Sequence, residues 1–190
     1  MWAYAIERPG VNSLRTPMFP EMVNVVKGEP VTFSKHLFQR EEIAARFRTF
    51  QFTNQRAITR SMLAWWAYHD PEQPLWEADT TLEVEHIYAR RRAEEEPLAN
   101  RANLESLGNK ALLEKRVNIR AADYRFADKK KYYLGFEDVK GKRREGMLNA
   151  ELRRMAEERD DFDEADIEVR ARKIIDSFVD YLGDNGLLEG

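Results

Sequence analysis

TTLEVEHIY (80–88) and NKALLEKRV (109–117) are the two segments that decide the fold of this chain. The first has β-branched residues and alternates Leu82 and Val84 with charged residues, as a short strand does. The second reads as another short strand, and the polar segment between the two predicts a loop. The segment NIRAADYRFADKKKYYLG (118–135) then predicts a helix that ends at its last glycine. The local order is therefore strand, loop, strand, helix.

Helices are predicted on both sides of this unit. SKHLFQREEIAARFRTF (34–50) has apolar residues three or four apart and Ser34 as a candidate cap. TNQRAITRSMLAWWAYHDP (53–71) continues the pattern and stops before its proline. DFDEADIEVRARKIIDSFVDYLG (161–183) offers Asp163 as a cap, acidic residues in the first turn and one apolar face. We expect this last helix to be scaffold.

Composition excludes several classes of protein. A chain of 190 residues with 43% hydrophobic residues and four tryptophans can bury a core, and 34% charged residues predict a soluble protein. Without cysteine there is no disulfide, no thiolate nucleophile and no zinc–thiolate site. No apolar run long enough for a membrane span and no signal peptide are present, so a cytoplasmic location is expected.

Charge is unevenly distributed. Residues 88–154 contain 18 Lys and Arg against 11 Asp and Glu, whereas the whole chain has a net charge of −3. A basic middle in an acidic chain suits a site for a polyanion. Long helices with mixed charges on solvated faces would explain the same balance, so charge alone leaves both interpretations open.

Common catalytic motifs are absent. There is no GxSxG, no glycine-rich phosphate loop and no HExxH, and the three histidines lie in different segments. What remains is the pair Glu85–His86, followed by Asn109 and Asn118. A single strand histidine is often structural, and an asparagine at the start of a helix is often only a cap.

EVEHI (83–87) followed by LESLGNKALLEKRVNIRAADYRFADKKKYY (104–133) resembles an HNH nuclease motif, the ββα-metal active site. It is similar to the C-terminal domain of GmrSD-type, modification-dependent (type IV) restriction proteins. That resemblance implies an α+β, mostly α-helical fold with a ββα-metal (HNH) core packed between N- and C-terminal helices. The expected organisation is an N-terminal helical region (1–75), the core (76–136) and a C-terminal helical region (137–190), in one unit that is either a stand-alone nuclease or part of a longer protein.

The resemblance also implies roles for individual residues. His86 would be the general base, and Glu85 and Asn118 would bind a divalent metal, most simply Mg²⁺, with Mn²⁺ or another divalent ion as alternatives. Asn109 takes the catalytic motif position that braces the loop and orients the base. Lys129 would reach a phosphate or the leaving group. Successive strand residues point to opposite faces, so Glu85 and His86 can serve one site only if the strand ends or bulges there.

Five basic residues are expected to contact the nucleic-acid backbone: Arg90, Arg91, Arg92, Lys130 and Lys131. Such contacts supply affinity and salt dependence without sequence specificity. For the three helix lysines 129–131, a solvated helix face is the competing interpretation.

The predicted function is a metal-dependent endonuclease that hydrolyses DNA phosphodiester bonds in restriction or phage defence. The expected partners are DNA, an N-terminal nucleotide-dependent domain or subunit, and a second copy of the chain for cutting both strands. A non-catalytic DNA-binding module of HNH shape and an RNase are the alternatives. Two positions depart from the family pattern: Ala89 replaces a common proline, and Lys110 replaces a common leucine.

Overall fold

A computed structural model describes residues 1–7, 10 and 12–190. These residues form two compact units. The first comprises residues 1–50 together with 172–190, and the second comprises residues 51–171. In the described part of the chain, no helix combines the length and the apolar character that a membrane span requires.

The described residues form α-helices and short β-strands, so the predicted α+β, mostly helical class is confirmed. In chain order the elements are α1 (Trp2–Glu7), α2 (Arg15–Lys27), α3 (Arg40–Thr49), α4 (Ala57–His69), β1 (Leu82–His86), α5 (Arg90–Glu95), β2 (Lys110–Glu114), α6 (Lys115–Ala121), α7 (Phe126–Leu134), β3 (Phe136–Glu137), β4 (Arg143–Arg144), α8 (Ala150–Glu158) and α9 (Glu164–Asp184). Two short 3₁₀ segments, Arg101–Glu105 and Leu107–Asn109, precede β2.

The first unit has an aromatic core. The rings of Tyr4 and Phe38 are 4.5 Å apart, and those of Phe47 and Phe178 are 5.1 Å apart. The helix predicted over 34–50 begins only at Arg40, so the proposed Ser34 cap is wrong. Phe33 has a φ of 52° and accepts a hydrogen bond from the amide of His36, which turns the chain before the helix starts.

The second unit is built on an antiparallel pair of strands. The two predicted strands are confirmed as β1 and β2, whose register sets Glu85 opposite Ala111 and His86 opposite Lys110. Every residue of β2 is buried because packing covers both faces of this small sheet. Helix α6 follows β2 directly. The segment between the strands is not simply the predicted loop, because it contains helix α5 and two 3₁₀ segments, so the chain order is strand, helix, strand, helix.

The single helix predicted over 118–135 is wrong, because it is divided into α6 and α7. The break lies at Ala122, whose φ of 43° and ψ of −146° are incompatible with a helix. Asn118 is the fourth residue of α6 and not its cap, since Glu114 occupies the N-cap position. Asn118 and Lys129 therefore lie on different helices.

Helix α9 begins as the sequence predicts. The Oδ1 of Asp163 accepts a hydrogen bond from the amide of Asp166 at 3.1 Å, and Asp166 Oδ2 accepts one in return from the amide of Asp163. This reciprocal cap satisfies two amides at the start of the helix. The residues of α9 that belong to the second unit are 164–171.

The backbone of Ala122 generates a prediction. Its conformation costs an alanine about 1–3 kcal/mol, whereas glycine adopts it freely at a smaller entropic cost. Ala122→Gly should therefore raise the free energy of unfolding by about 1 kcal/mol in urea denaturation. Ala127→Gly, at an exposed helical position in α7, is the control and should lower it by about 0.5 kcal/mol. Destabilisation by both changes would contradict the strain at Ala122.

Candidate functional site

Asn109 holds the end of β1 in place. Its side chain is fully buried, its Oδ1 accepts a hydrogen bond from the amide of Tyr88 at 2.6 Å, and its Nδ2 donates to the carbonyls of Tyr88 and Leu104 at 3.1 Å each. Its own carbonyl accepts from the amide of Ile87 at 2.9 Å. One asparagine therefore fixes the backbone directly after His86, which is the geometry of a brace.

His86 ends β1 with its ring directed toward a buried polar cluster. It is 8% exposed, and its Nε2 lies 2.8 Å from Lys110 Nζ and 3.3 Å from Glu105 Oε1. Its Nδ1 makes no hydrogen bond with any residue that the structure describes. Burial and then the neighbouring Lys110 ammonium lower the pKa of His86 to about 3, so the ring is neutral near pH 7.

Lys110 is the centre of this polar cluster and was not predicted as a site residue. It is completely buried, and its Nζ contacts Asn54 Oδ1 at 2.6 Å, Glu105 Oε2 at 2.8 Å and His86 Nε2 at 2.8 Å. Three contacts match the three hydrogens of an ammonium. Burial lowers the pKa of Lys110, while Glu105 opposes that shift. A lysine directly before the apolar run Ala111–Leu113 was the sequence signal for this cluster.

Glu85 lies on the opposite face of β1, as strand alternation requires. Its Oε1 accepts hydrogen bonds from Lys129 Nζ and the Tyr133 hydroxyl, each at 2.6 Å, and Lys129 also donates to the carbonyl of His86 at 2.7 Å. Burial raises the pKa of Glu85, against the effect of the Lys129 ammonium. Lys129 is 1% exposed, so the interpretation of this residue as part of a solvated face is wrong.

Asn118 lies beside this second face. Its Nδ2 donates to Glu83 Oε2 at 2.9 Å, whereas its Oδ1 is buried and has no hydrogen-bond partner among the described residues. Glu83 and Glu85 are two residues apart on β1 and therefore share a face. Both hydrogen bonds to Glu85 go to Oε1, so its Oε2 accepts none within the described residues.

Amide and carboxylate oxygens are the types of ligand atom that a hard divalent cation prefers. Among the described residues no three His, Cys, Asp or Glu side chains converge as a metal-binding group. An amide oxygen and one carboxylate are nevertheless the type of incomplete ligand set that suits Mg²⁺, which keeps several waters or substrate oxygens in its shell. The Oδ1 of Asn118 has no other use in the described structure, since nothing donates to it.

The predicted nucleic-acid contacts differ in environment. Arg92 is 9% exposed, and its guanidinium binds Asp161 at 2.7 and 2.8 Å and Glu96 at 3.0 Å. Its hydrogen bonds are thus made inside the protein. Arg90 is half-exposed and donates to Glu105 at 2.9 Å.

The other three predicted contacts lie on the surface or close to it. Arg91 is well exposed and lies 3.8 Å from Glu95. Lys130 is mostly covered and pairs with Asp160 at 3.1 Å. Lys131 lies over the ring of Tyr132. Arg90 and Arg91 are therefore the arginines of this group whose side chains reach solvent.

The neutral state of His86 predicts a pH dependence of stability. Its pKa is about 3 in the folded protein and 6.5 in the unfolded chain, so between these values the unfolded chain binds the extra proton. The contribution is complete above pH 6.5 and is lost as the pH falls toward 3. The free energy of unfolding should fall by as much as about 1.4 kcal/mol per pH unit from this group.

His86→Gln should have a flatter pH dependence in urea denaturation between pH 6.5 and about 5, where most carboxylates stay ionised. His69→Gln, which changes an exposed histidine and retains His86, is the control and should keep the wild-type slope. Equal slopes for wild type and His86→Gln would show that the folded protein protonates this ring in the same range as the unfolded chain.

Comparison with known proteins identifies the family. The sequence model described as GmrSD restriction endonucleases, C-terminal domain, matches residues 38–177, which is more than half of the chain. No curated protein and no solved structure matches. The match includes β1, β2, α6 and α7, and with them every predicted site residue. Its description indicates a nuclease of restriction systems. The chain therefore belongs to the family of C-terminal domains of GmrSD restriction endonucleases.

Proposed function

We propose that this domain is a metal-dependent HNH endonuclease that hydrolyses phosphodiester bonds of DNA in restriction or phage defence. The observation that supports it most strongly is the position of His86. A neutral imidazole ends β1, and a buried asparagine braces the next two residues. Two oxygen atoms that accept no hydrogen bond among the described residues lie on the other face of β1 and on α6. DNA as substrate accords with the family of restriction endonucleases to which the chain belongs.

In this proposal His86 removes a proton from the attacking water. A neutral imidazole can accept this proton near pH 7, but a pKa lowered to about 3 makes it a weaker base than an ordinary histidine. Nδ1 accepts the proton when the ring hydrogen is on Nε2, where Glu105 Oε1 at 3.3 Å accepts it. The alternative tautomer places the lone pair of Nε2 toward Lys110. Proton transfer to Nδ1 requires the first arrangement, in which the Lys110 ammonium donates to Asn54 and Glu105 and not to the ring.

Glu85 Oε2 and Asn118 Oδ1 would hold the divalent cation. When bound, such an ion neutralises charge on the phosphate and stabilises the leaving oxygen. Lys129 donates hydrogen bonds to the Glu85 carboxylate and to the backbone carbonyl of His86. It therefore connects the proposed metal ligand to the backbone of the proposed general base. We therefore assign Lys129 to positioning Glu85, in place of the phosphate contact that the sequence suggested, since its ammonium is buried.

Arg90 and Arg91 are the proposed contacts to the DNA backbone, because both side chains reach solvent. Lys130 and Lys131 on α7 are further proposed contacts. Arg92 is not part of it, since its guanidinium is bound to Asp161 and Glu96. Such contacts make binding depend on salt concentration.

Nicking of supercoiled plasmid tests the proposal. Wild-type protein should nick with Mg²⁺ or Mn²⁺ and stop when a chelator is added, and His86→Ala should lose at least about a hundredfold of the rate because the general base is missing. His69→Ala removes an exposed histidine and is the matched control, which should cut as wild type does.

Cutting by His86→Ala at the wild-type rate, or cutting that survives the chelator, would refute the proposal. Salt-sensitive DNA binding without cutting, independent of His86, Asn118 and metal, would instead identify a non-catalytic module. A preference for RNA in the same assay would identify an RNase.

A further inference from the structure

A buried arginine on α9 contacts the segment that carries Asn109. Arg170 is 6% exposed, and its Nη1 donates to the carbonyls of Leu107 at 3.0 Å, Gly108 at 2.9 Å and Lys110 at 2.7 Å. These carbonyls lie on both sides of Asn109. One guanidinium nitrogen therefore fixes the backbone before and after the bracing asparagine.

The remainder of the same guanidinium is held by a carboxylate. Arg170 Nε and Nη2 donate to the two oxygens of Glu151 at 3.1 and 2.7 Å. Glu151 Oε2 also accepts a hydrogen bond from Trp66 Nε1 at 2.7 Å. A bidentate pair of this kind fixes the plane of the guanidinium. The direction of Nη1 toward the three carbonyls is thereby set.

Gly108 shows independently how closely this segment approaches α9. A Cβ at position 108 would overlap the carbonyl oxygen of Ile167 and lie 2.8 Å from the amide nitrogen of Ala171. Only glycine allows the backbone to come so near to the helix. The approach brings the carbonyls of 107–110 within hydrogen-bond reach of Arg170.

We propose that Arg170 is a positioning residue of the nuclease site and acts on His86 through Asn109. This inference rests on the proposed function. Arg170 fixes the carbonyls around Asn109, Asn109 binds both backbone polar groups of Tyr88, and Tyr88 lies two residues after His86. The helix that the sequence presents as scaffold thus supplies one side chain that orients the general base.

The form of the contact favours a positioning role over simple packing. A buried ion pair can often be replaced by apolar side chains without loss of stability, because the removal of charge from water is costly. An apolar side chain at 170 could fill the volume, but it could not bind three carbonyls. Replacement leaves these carbonyls without their donor, so we expect a folded but less stable domain in which the segment around Asn109 is less well fixed.

The test uses the double variant Arg170→Met with Glu151→Gln. It removes both charges together and keeps an acceptor for Trp66, so no unpaired charge is buried. The matched control is Arg153→Met with Glu157→Gln, which removes an exposed pair from α8. A third variant, Arg170→Lys, keeps the charge but supplies one nitrogen in place of the guanidinium fork.

We expect the double variant to fold, with a plasmid-nicking kcat at least about tenfold below wild type and an unchanged KM for DNA, since small misplacement of a catalytic group lowers kcat steeply. The kcat of Arg170→Lys should lie between those of wild type and the double variant, and the kcat of the control pair should equal that of wild type. The amide of Tyr88, which binds Asn109 Oδ1, should exchange its hydrogen faster in the double variant.

The exchange measurement needs no cutting, so it separates this inference from the proposed function. If wild-type protein does not cut DNA and the double variant loses protection at the Tyr88 amide, the positioning role is supported and the proposed nuclease activity is refuted. A folded double variant with wild-type kcat and wild-type exchange at Tyr88 would overturn the inference. If the double variant does not fold, Arg170→Lys decides: wild-type kcat and exchange in that variant would overturn it equally.

Discussion

The two-way hydrogen bonding between the Asn109 side chain and the backbone of Tyr88 is the interaction on which the site depends. It lies just after the end of β1, where the amide and the carbonyl of Tyr88 no longer have partners in the sheet. The side-chain amide of Asn109 supplies both partners, because it can donate and accept hydrogen bonds. Without it, neither the ring of His86 nor the polar cluster behind it would have a fixed position.

Strand alternation separates the site into two faces with different tasks. His86, with Lys110 and Glu105, lies on a face where burial and a neighbouring ammonium keep the imidazole neutral. Glu85 lies on the other face, where Lys129 and Tyr133 hold one oxygen and leave the second unused. Lys129 joins the faces, because its ammonium also binds the carbonyl of His86. The pairing of β1 is regular through His86, so the side chains of Glu85 and His86 lie on opposite faces, and the shared lysine links Glu85 only to the backbone carbonyl of His86.

Sequence patterns were informative where a local rule dominates. Alternation in 80–88 and the acidic start of α9 predicted elements that the structure contains. The break at Ala122 could not be predicted, since alanine favours helices and only tertiary packing imposes a positive φ there. Lys110 and Arg170 were missed for a related reason. Their roles arise from partners far along the chain, such as Asn54 for Lys110 and Glu151 for Arg170, and no periodicity reports such pairs.

The proposed nuclease activity depends on a cation held by Glu85 and Asn118. A crystal of the protein grown with Mn²⁺, with anomalous scattering recorded at the manganese edge, tests it most directly. We expect one strong peak about 2.1 Å from both Glu85 Oε2 and Asn118 Oδ1. A peak bound by other residues, or none in crystals that diffract well, would contradict it.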